Sequence, residues 1–223
     1  MSRIAAWFAQ HFTRPRPPTS TDAPPPPDTG AAPPPIPVST IGTVPASGVT
    51  AALLLRLGWA KPEAWAAALA PACRTYGIHT HERLAAFLAQ IGHECGGGKH
   101  TREIWGPTPQ QTTYEGRRSL GNTAPGDGER FLGRGAIQIT GRANTTEARD
   151  ALKPGWDLDA FCAWLETHAG AATSAAWWWS RRGLNDLADA GRFDDITRRI
   201  NGAYKGREDR DARWAKAKAA LGD

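Results

Sequence analysis

Twelve of the chain's 18 prolines fall between Pro15 and Pro45, with unbroken runs at 24–27 and 33–35. Between them stand mostly Ala, Thr and Ser. Such a segment buries no core and favours extended polyproline II geometry. A compact fold must therefore be built from the residues that follow. The sequence divides into a short amphipathic segment at 1–14, a Pro-rich disordered linker at 15–47 and a domain over 48–223. In the first part Ile4, Trp7, Phe8 and Phe12 are too broken a run for a signal-peptide core, and no small-residue cleavage site follows. No stretch approaches the roughly 18 apolar residues of a membrane span. The expectation is a monomer without an integral membrane span, held in the cytoplasm until it is released to its target.

After Thr50 the apolar residues take helical spacing. Leu53, Leu54 and Leu57 form one stripe, Lys61-Pro62 marks a new start, and Trp65 and Leu69 continue it. Thr80 is placed to cap the next helix, where Leu84, Phe87, Leu88 and Ile91 sit at i, i+3, i+4 and i+7. Gly96-Gly97-Gly98 ends that helix. Residues 99–135 are rich in Gly, Pro, Thr and charge without periodicity, as in a functional loop. Residues 136–140 read as a short strand, with Gln138 and Thr140 on one face and Ile137 and Ile139 on the other. Further helical patterns cover about 143–152, 158–182, 184–190, 193–201 and 208–221. The fold class is mainly α with a small β element.

Glu94 lies three residues after Ile91 and seven after Phe87, on the apolar face. Loss of water there disfavours the charged form of a carboxyl, which suits a general acid. The competing reading is a buried Glu paired with an Arg for structure alone. Glu103 follows nine residues later in the loop. Two carboxylates on opposite walls of a groove, with a water between them, would form an inverting glycosidase. Arg210 precedes Trp214 by four residues and Ala217 by seven, so it faces inward and needs an acidic partner. Arg213 is one step off that face. Trp105, beside Glu103, is placed to stack on a sugar ring.

Other constellations carry less. The three residues Trp177, Trp178 and Trp179 point in different helical directions and read mainly as core. Arg181-Arg182 and Arg198-Arg199 are either solvated faces or contacts to an anionic polymer. His93, Cys95 and His100, like His79 and His81, lack a His-Glu-x-x-His pattern, so no metal and no cofactor is expected. Gly133-Arg134-Gly135 lacks the third glycine of a dinucleotide fingerprint. Cys73, Cys95 and Cys162 are an odd number at unrelated spacings and read as reduced, buried thiols. The net charge of +5 suits a polyanionic partner such as a bacterial wall, a nucleic acid or an acidic membrane surface.

The runs Ala89-Gln90-Ile91-Gly92-His93-Glu94-Cys95-Gly96-Gly97 and Gly133-Arg134-Gly135-Ala136-Ile137-Gln138-Ile139-Thr140-Gly141-Arg142-Ala143-Asn144, with Glu103 between them, resemble glycoside hydrolase family 19. That family comprises chitinases and related phage endolysins. The block from Arg102 through Trp105 to Tyr114-Glu115-Gly116-Arg117, and Ile200-Asn201-Gly202, are similar to the endolysin branch. The resemblance covers roughly 50–221. It implies a lysozyme-like α+β glycoside hydrolase domain with a small β element beside the cleft. It also implies Glu94 as acid, Glu103 as base and Thr140 as holder of the attacking water. Gln138, Asn144 and Asn201 become sugar-contacting positions, and Arg210 the partner of a catalytic carboxylate. His93, Trp105, Tyr114 and Glu115 fall beside them as substrate-binding candidates, with Glu115 also the rival second carboxylate.

Cys95 departs from the Ser or Thr of many relatives, and Thr145 from their aromatic. The activity implied is inverting, endo-acting cleavage of β-1,4 bonds in a wall polymer containing N-acetylglucosamine. Peptidoglycan is the first substrate, chitin the second, and nucleic acid is not a partner. A catalytically silent wall-binding module is the reading from another class.

Overall fold

The structure, a computed structural model, describes residues 48–222. The expected N-terminal segment and Pro-rich linker lie outside the described residues. The first helix, α1 (Ala51–Leu57), starts where the Thr50 hydroxyl accepts the Leu53 amide at 3.1 Å. Pro62 opens α2 (Pro62–Thr75), where its fixed φ and missing N–H cost nothing. Trp65, Leu69, Ala72 and Cys73 form the buried stripe of α2. Thr80 caps α3 (His81–Glu94) by accepting from the Arg83 amide at 3.2 Å.

Every residue of α3 from Leu84 to Gly92 is buried. A helix enclosed on all faces lies inside the domain rather than on its surface. Two helices flank it: α9 (Leu184–Asp189) and the last helix, α11 (Arg207–Leu221). Successive left-handed residues at Gly96, Gly97 and Gly98 then turn the chain out of α3. At Gly98 a Cβ would stand 2.5 Å from Trp65 Nε1, which donates to the Gly98 carbonyl at 3.0 Å. That close approach admits only glycine and ties the end of α3 to α2.

The pattern expected as one helix over 158–182 is two, α7 (Leu158–Glu166) and α8 (His168–Arg181). Thr167 is extended, and its hydroxyl accepts the Gly170 amide at 3.0 Å, so it caps α8. A Cβ at Gly170 would lie 1.9 Å from the Trp164 carbonyl, so the two helices meet without a spacer. Of the tryptophan run on α8, Trp178 and Trp179 are core and Trp177 is half-buried. Phe87 and Trp179 meet edge-on with ring centres 5.3 Å apart, joining α3 to α8. The remaining long helices are α6 (Arg142–Leu152) and α10 (Phe193–Asn201).

The loop region 99–135 is not featureless. It holds α4 (Pro109–Thr112), a 3-10 turn (Arg118–Leu120) and α5 (Asp127–Arg130). Asp127 organises it. Its Oδ2 accepts from the amides of Thr123 and Ala124, each at 3.0 Å, and both its oxygens take the Arg142 guanidinium. Residues 136–140 do not form the expected strand. Gly135 and Gln138 are left-handed, and Arg134 and Ile139 exchange backbone hydrogen bonds at 3.0 and 2.7 Å across a tight turn. Among the described residues the β component is two isolated antiparallel bridges, Arg102 with Arg134 and Arg134 with Ile139. Cys73, Cys95 and Cys162 are buried and free; burial pushes the Cys73 and Cys95 thiols up to about 12. Among the described residues no helix is long and apolar enough to cross a membrane.

Candidate active site

Two buried polar clusters gather most of the residues singled out above. The first surrounds Glu94 at the end of α3. Arg210 enters from α11 and donates through Nη2 to Glu94 Oε1 and through Nη1 to Gln90 Oε1. Gln90 sits one helical turn before Glu94, and its Nε2 donates to Thr197 Oγ1 on α10 at 2.7 Å. Arg210 Nε reaches the Lys205 carbonyl at 3.3 Å. Asn201 grips the same carbonyl through Nδ2 at 2.7 Å and accepts the Ala203 amide at 2.9 Å. Asn201 thereby shapes the 201–205 turn that helps seat Arg210. Glu94 Oε2 is buried without a hydrogen-bond partner.

His93 lies alongside, with Nδ1 2.7 Å from Asp209 Oδ2, which also takes Arg213 Nε at 2.7 Å. Arg213 thus serves Asp209 and not Glu94. Burial, then the neighbouring Arg210 charge, hold the His93 pKa below its ordinary value against the pull of Asp209. The 201–206 turn closes over the ring: a Cβ on Gly206 would meet His93 Cε1 at 2.4 Å.

The second cluster surrounds Glu103. From Glu94 the chain turns at Cys95, whose carbonyl accepts the amides of Lys99 and His100 at 3.0 and 3.1 Å. It then runs beside 133–135, with Glu103 N donating to the Gly133 carbonyl and Gly135 N to the Thr101 carbonyl, both at 2.8 Å. Glu103 Oε1 accepts from Gln111 Nε2 at 2.9 Å and Tyr114 Oη at 3.3 Å, and Oε2 accepts the Gly133 amide at 3.0 Å. Burial first, then the Glu103 charge, raise the Tyr114 hydroxyl well above its ordinary range, so it remains a donor. Gln111 is fixed in turn by a capping box with Thr108. Trp105 leans on Tyr114 with ring centres 6.2 Å apart.

Around Gly133 three oxygens converge. A Cβ there would lie 2.7 Å from Gln138 Oε1, 3.2 Å from Thr140 Oγ1 and 3.3 Å from Glu103 Oε2. Gln138 and Thr140 share this space through the left-handed turn at Gln138, not through a strand face. Thr140 Oγ1 donates to the Gln138 carbonyl at 3.0 Å, and Asn144 Nδ2 donates to the Thr140 carbonyl at 2.8 Å.

Glu115 stands apart. It is exposed, and its oxygens take the amides of Gly126 and Gly128 at 2.7 and 2.8 Å. Both oxygens therefore hold a loop together. Gln90, Thr197 and Gln111 were missed in the sequence. Gln90 carried a signal, since a polar side chain three residues after Phe87 and one turn before Glu94 falls beside the apolar stripe of the helix and requires a partner. Thr197 and Gln111 carried none, because their roles depend on contacts 107 and 8 residues away. Among the described residues no three His, Cys, Asp or Glu side chains are gathered to hold a metal ion.

A protein from Haemophilus influenzae described as a glycosyl hydrolase family 19 domain-containing protein is 31% identical over 157 residues. The match spans 56% of this chain and 74% of that protein. The chain belongs to glycosyl hydrolase family 19. It is a glycoside hydrolase. No family model matches the chain. Two solved structures share the fold. Chitinase C from Streptomyces griseus HUT6037 superposes with a TM-score of 0.63 at 21% identity, covering 81% of this chain and 78% of that one. A bacterial family 19 chitinase gives 0.60 at 22% identity, covering 78% of this chain and 95% of that one. The helical domain read from the sequence is thus the family 19 fold.

Proposed function

We propose that this family 19 hydrolase cleaves β-1,4 bonds within an N-acetylglucosamine-containing wall polymer, with inversion at the anomeric carbon. Glu94 donates the proton to the leaving oxygen, and Glu103 takes one from the attacking water. The observation that carries this reading is how differently the two carboxyls are held. Glu94 has one oxygen fixed by Arg210 and the other buried without a hydrogen-bond partner, so one oxygen is left uncommitted and can carry the proton of a general acid. Glu103 is ringed by three donors that fix its orientation.

The oxygens of Thr140 and Gln138, converging with Glu103 Oε2 above Gly133, supply the several polar partners that an ordered water requires. Holding water and acid in a fixed geometry is where much of the rate of such a reaction originates. Half-buried Trp105 offers an aromatic face to a pyranose ring beside Glu103.

Peptidoglycan is the first substrate. The net charge of +5 favours an anionic polymer, and the motif around Trp105, Tyr114 and Ile200-Asn201-Gly202 resembles endolysins. Chitin, named for the two solved relatives, is the second. A silent wall-binding module would have no use for an unpartnered Glu94 oxygen beside a buried arginine.

The test is clearing of permeabilised bacteria, with mass spectrometry of the products from peptidoglycan and from chitin oligomers. Wild type should clear the cells and release saccharides with new reducing ends, and Glu94→Gln should not. Equal clearing by Glu94→Gln would overturn the acid assignment. Release of amines alone would make the protein an amidase or peptidase.

A further inference from the structure

One carboxylate joins the two segments that set Glu103. Glu166, the last residue of α7, accepts from Arg134 Nε at 2.7 Å through Oε1, and Arg102 Nη1 stands 3.6 Å from the same oxygen. Arg102 immediately precedes Glu103. Arg134 immediately follows Gly133, whose amide donates to Glu103 Oε2 at 3.0 Å. The same two arginines face each other in one of the antiparallel bridges. Glu166 therefore spans both sides of the backbone pairing that carries Glu103.

Arg134 carries that hold into the backbone. Its Nη1 donates to the Arg130 carbonyl at 2.8 Å and to the Leu132 carbonyl at 3.2 Å. The Leu132 carbonyl and the Gly133 amide belong to one peptide group. That group is planar, so fixing its oxygen fixes the direction of its N–H. The line of contacts thus runs from Glu166 through Arg134 and this peptide to Glu103. The side chains of Arg134 and Glu166 are 9% and 30% exposed, so the pair is largely sheltered from water. A second pair, Arg130 with Asp159, ties the same turn to the same helix through hydrogen bonds of 2.7 and 2.8 Å. Its side chains are 42% and 63% exposed, and pairs so exposed contribute little.

The geometry points to Glu166 as a positioning residue for the reaction, acting through Arg134 and the Leu132–Gly133 peptide on the aim of Glu103. It deepens the reading of Glu103 as the base and rests on it. Without Glu166 the guanidinium loses its anchor, the peptide is free to tilt, and Oε2 loses the donor that sets it. Misplacing a catalytic group by an ångström lowers the rate of the chemical step, while substrate binding elsewhere in the cleft is untouched.

The test is steady-state kinetics, well below each variant's thermal midpoint, on whichever of peptidoglycan or chitin oligomers wild type cleaves. In Glu166→Ala kcat should fall by roughly 10- to 100-fold with KM within about twofold of wild type. Glu166→Gln keeps an oxygen for Arg134 Nε and should recover part of the loss, and Asp159→Asn should match wild type. Unchanged kcat in Glu166→Ala, or an equal fall in Asp159→Asn, would overturn the positioning role. Should Glu166→Ala fail to fold, Arg134→Lys replaces it, since it keeps the charge and loses the fork that grips the carbonyls. Hydrogen exchange at the Gly133 amide reads the same clamp without turnover. It should quicken by roughly tenfold in Glu166→Ala while the amides of α3 keep their wild-type rates, and unchanged exchange would overturn the clamp. Full activity in Glu103→Gln, or cleavage of neither polymer by wild type, would sink the reading beneath it, and the exchange measurement then decides the clamp alone.

Discussion

Glu94 and Arg210 form an ion pair enclosed on both sides, with 0% and 2% of their side chains exposed. Removing one partner of a buried pair strands the other charge, at a cost of about 3–5 kcal/mol. Arg210→Ala should therefore lower the free energy of urea unfolding by that amount. Glu94→Gln keeps an oxygen for Arg210 and should cost less stability, while activity falls by roughly 10²–10⁴. If Arg210→Ala is no less stable than Glu94→Gln, the pair is not the structural tie described here.

Gln90 tests whether the support behind that pair matters to rate. Gln90→Leu leaves Arg210 Nη1 and Thr197 Oγ1 without the amide that joins them. Arg210 then loses one of its fixed directions, and with it the aim of Glu94. kcat should drop by roughly 10- to 100-fold with KM little changed. A fall in stability with kcat intact would make Gln90 a packing residue only.

Gly133→Ala tests the water position. The added methyl would stand within 3.3 Å of Gln138 Oε1, Thr140 Oγ1 and Glu103 Oε2. Gly133 does not need a left-handed backbone, so the fold should survive. Activity should fall by at least about 100-fold, read by release of reducing ends, with the circular dichroism spectrum retained. Full activity in this variant would place the attacking water elsewhere.

The loop hub gives a pH prediction. The Arg142 guanidinium, with the amides of Ala124 and Thr123, holds the Asp127 carboxyl below its ordinary 3.8. A carboxyl depressed in the folded state contributes stability above its unfolded value and loses it as pH falls through the folded one. Asp127→Asn should thus be less stable than wild type by about 2 kcal/mol at pH 6. The gap should shrink as pH falls below 3.8, measured by urea midpoints at pH 6 and pH 3. A gap equal at both would mean that charge is not what Asp127 supplies.

Much of this was legible because it is local. Thr80 reads as a cap and is one; the apolar face of α3 and the inward position of Arg210 followed from 3.6-residue spacing. Where the reading went astray, a long-range or backbone fact intervened. The Ile-Gln-Ile-Thr alternation resembles a strand, yet Gln138 is left-handed and the segment folds back on Arg134. The break between α7 and α8 was hidden in an apolar run, although Thr167 is a residue type whose hydroxyl favours an N-cap. The donors around Glu103 converge from positions 8, 11 and 30 residues away, which no local pattern announces.

The central claim is that Glu94 and Glu103 act from opposite sides of one glycosidic bond. Proton NMR of the first sugar released from a β-1,4-linked N-acetylglucosamine oligomer tests it most directly. The account predicts that the α-anomer appears first and the β-anomer only later by mutarotation. A product released as the β-anomer would contradict it.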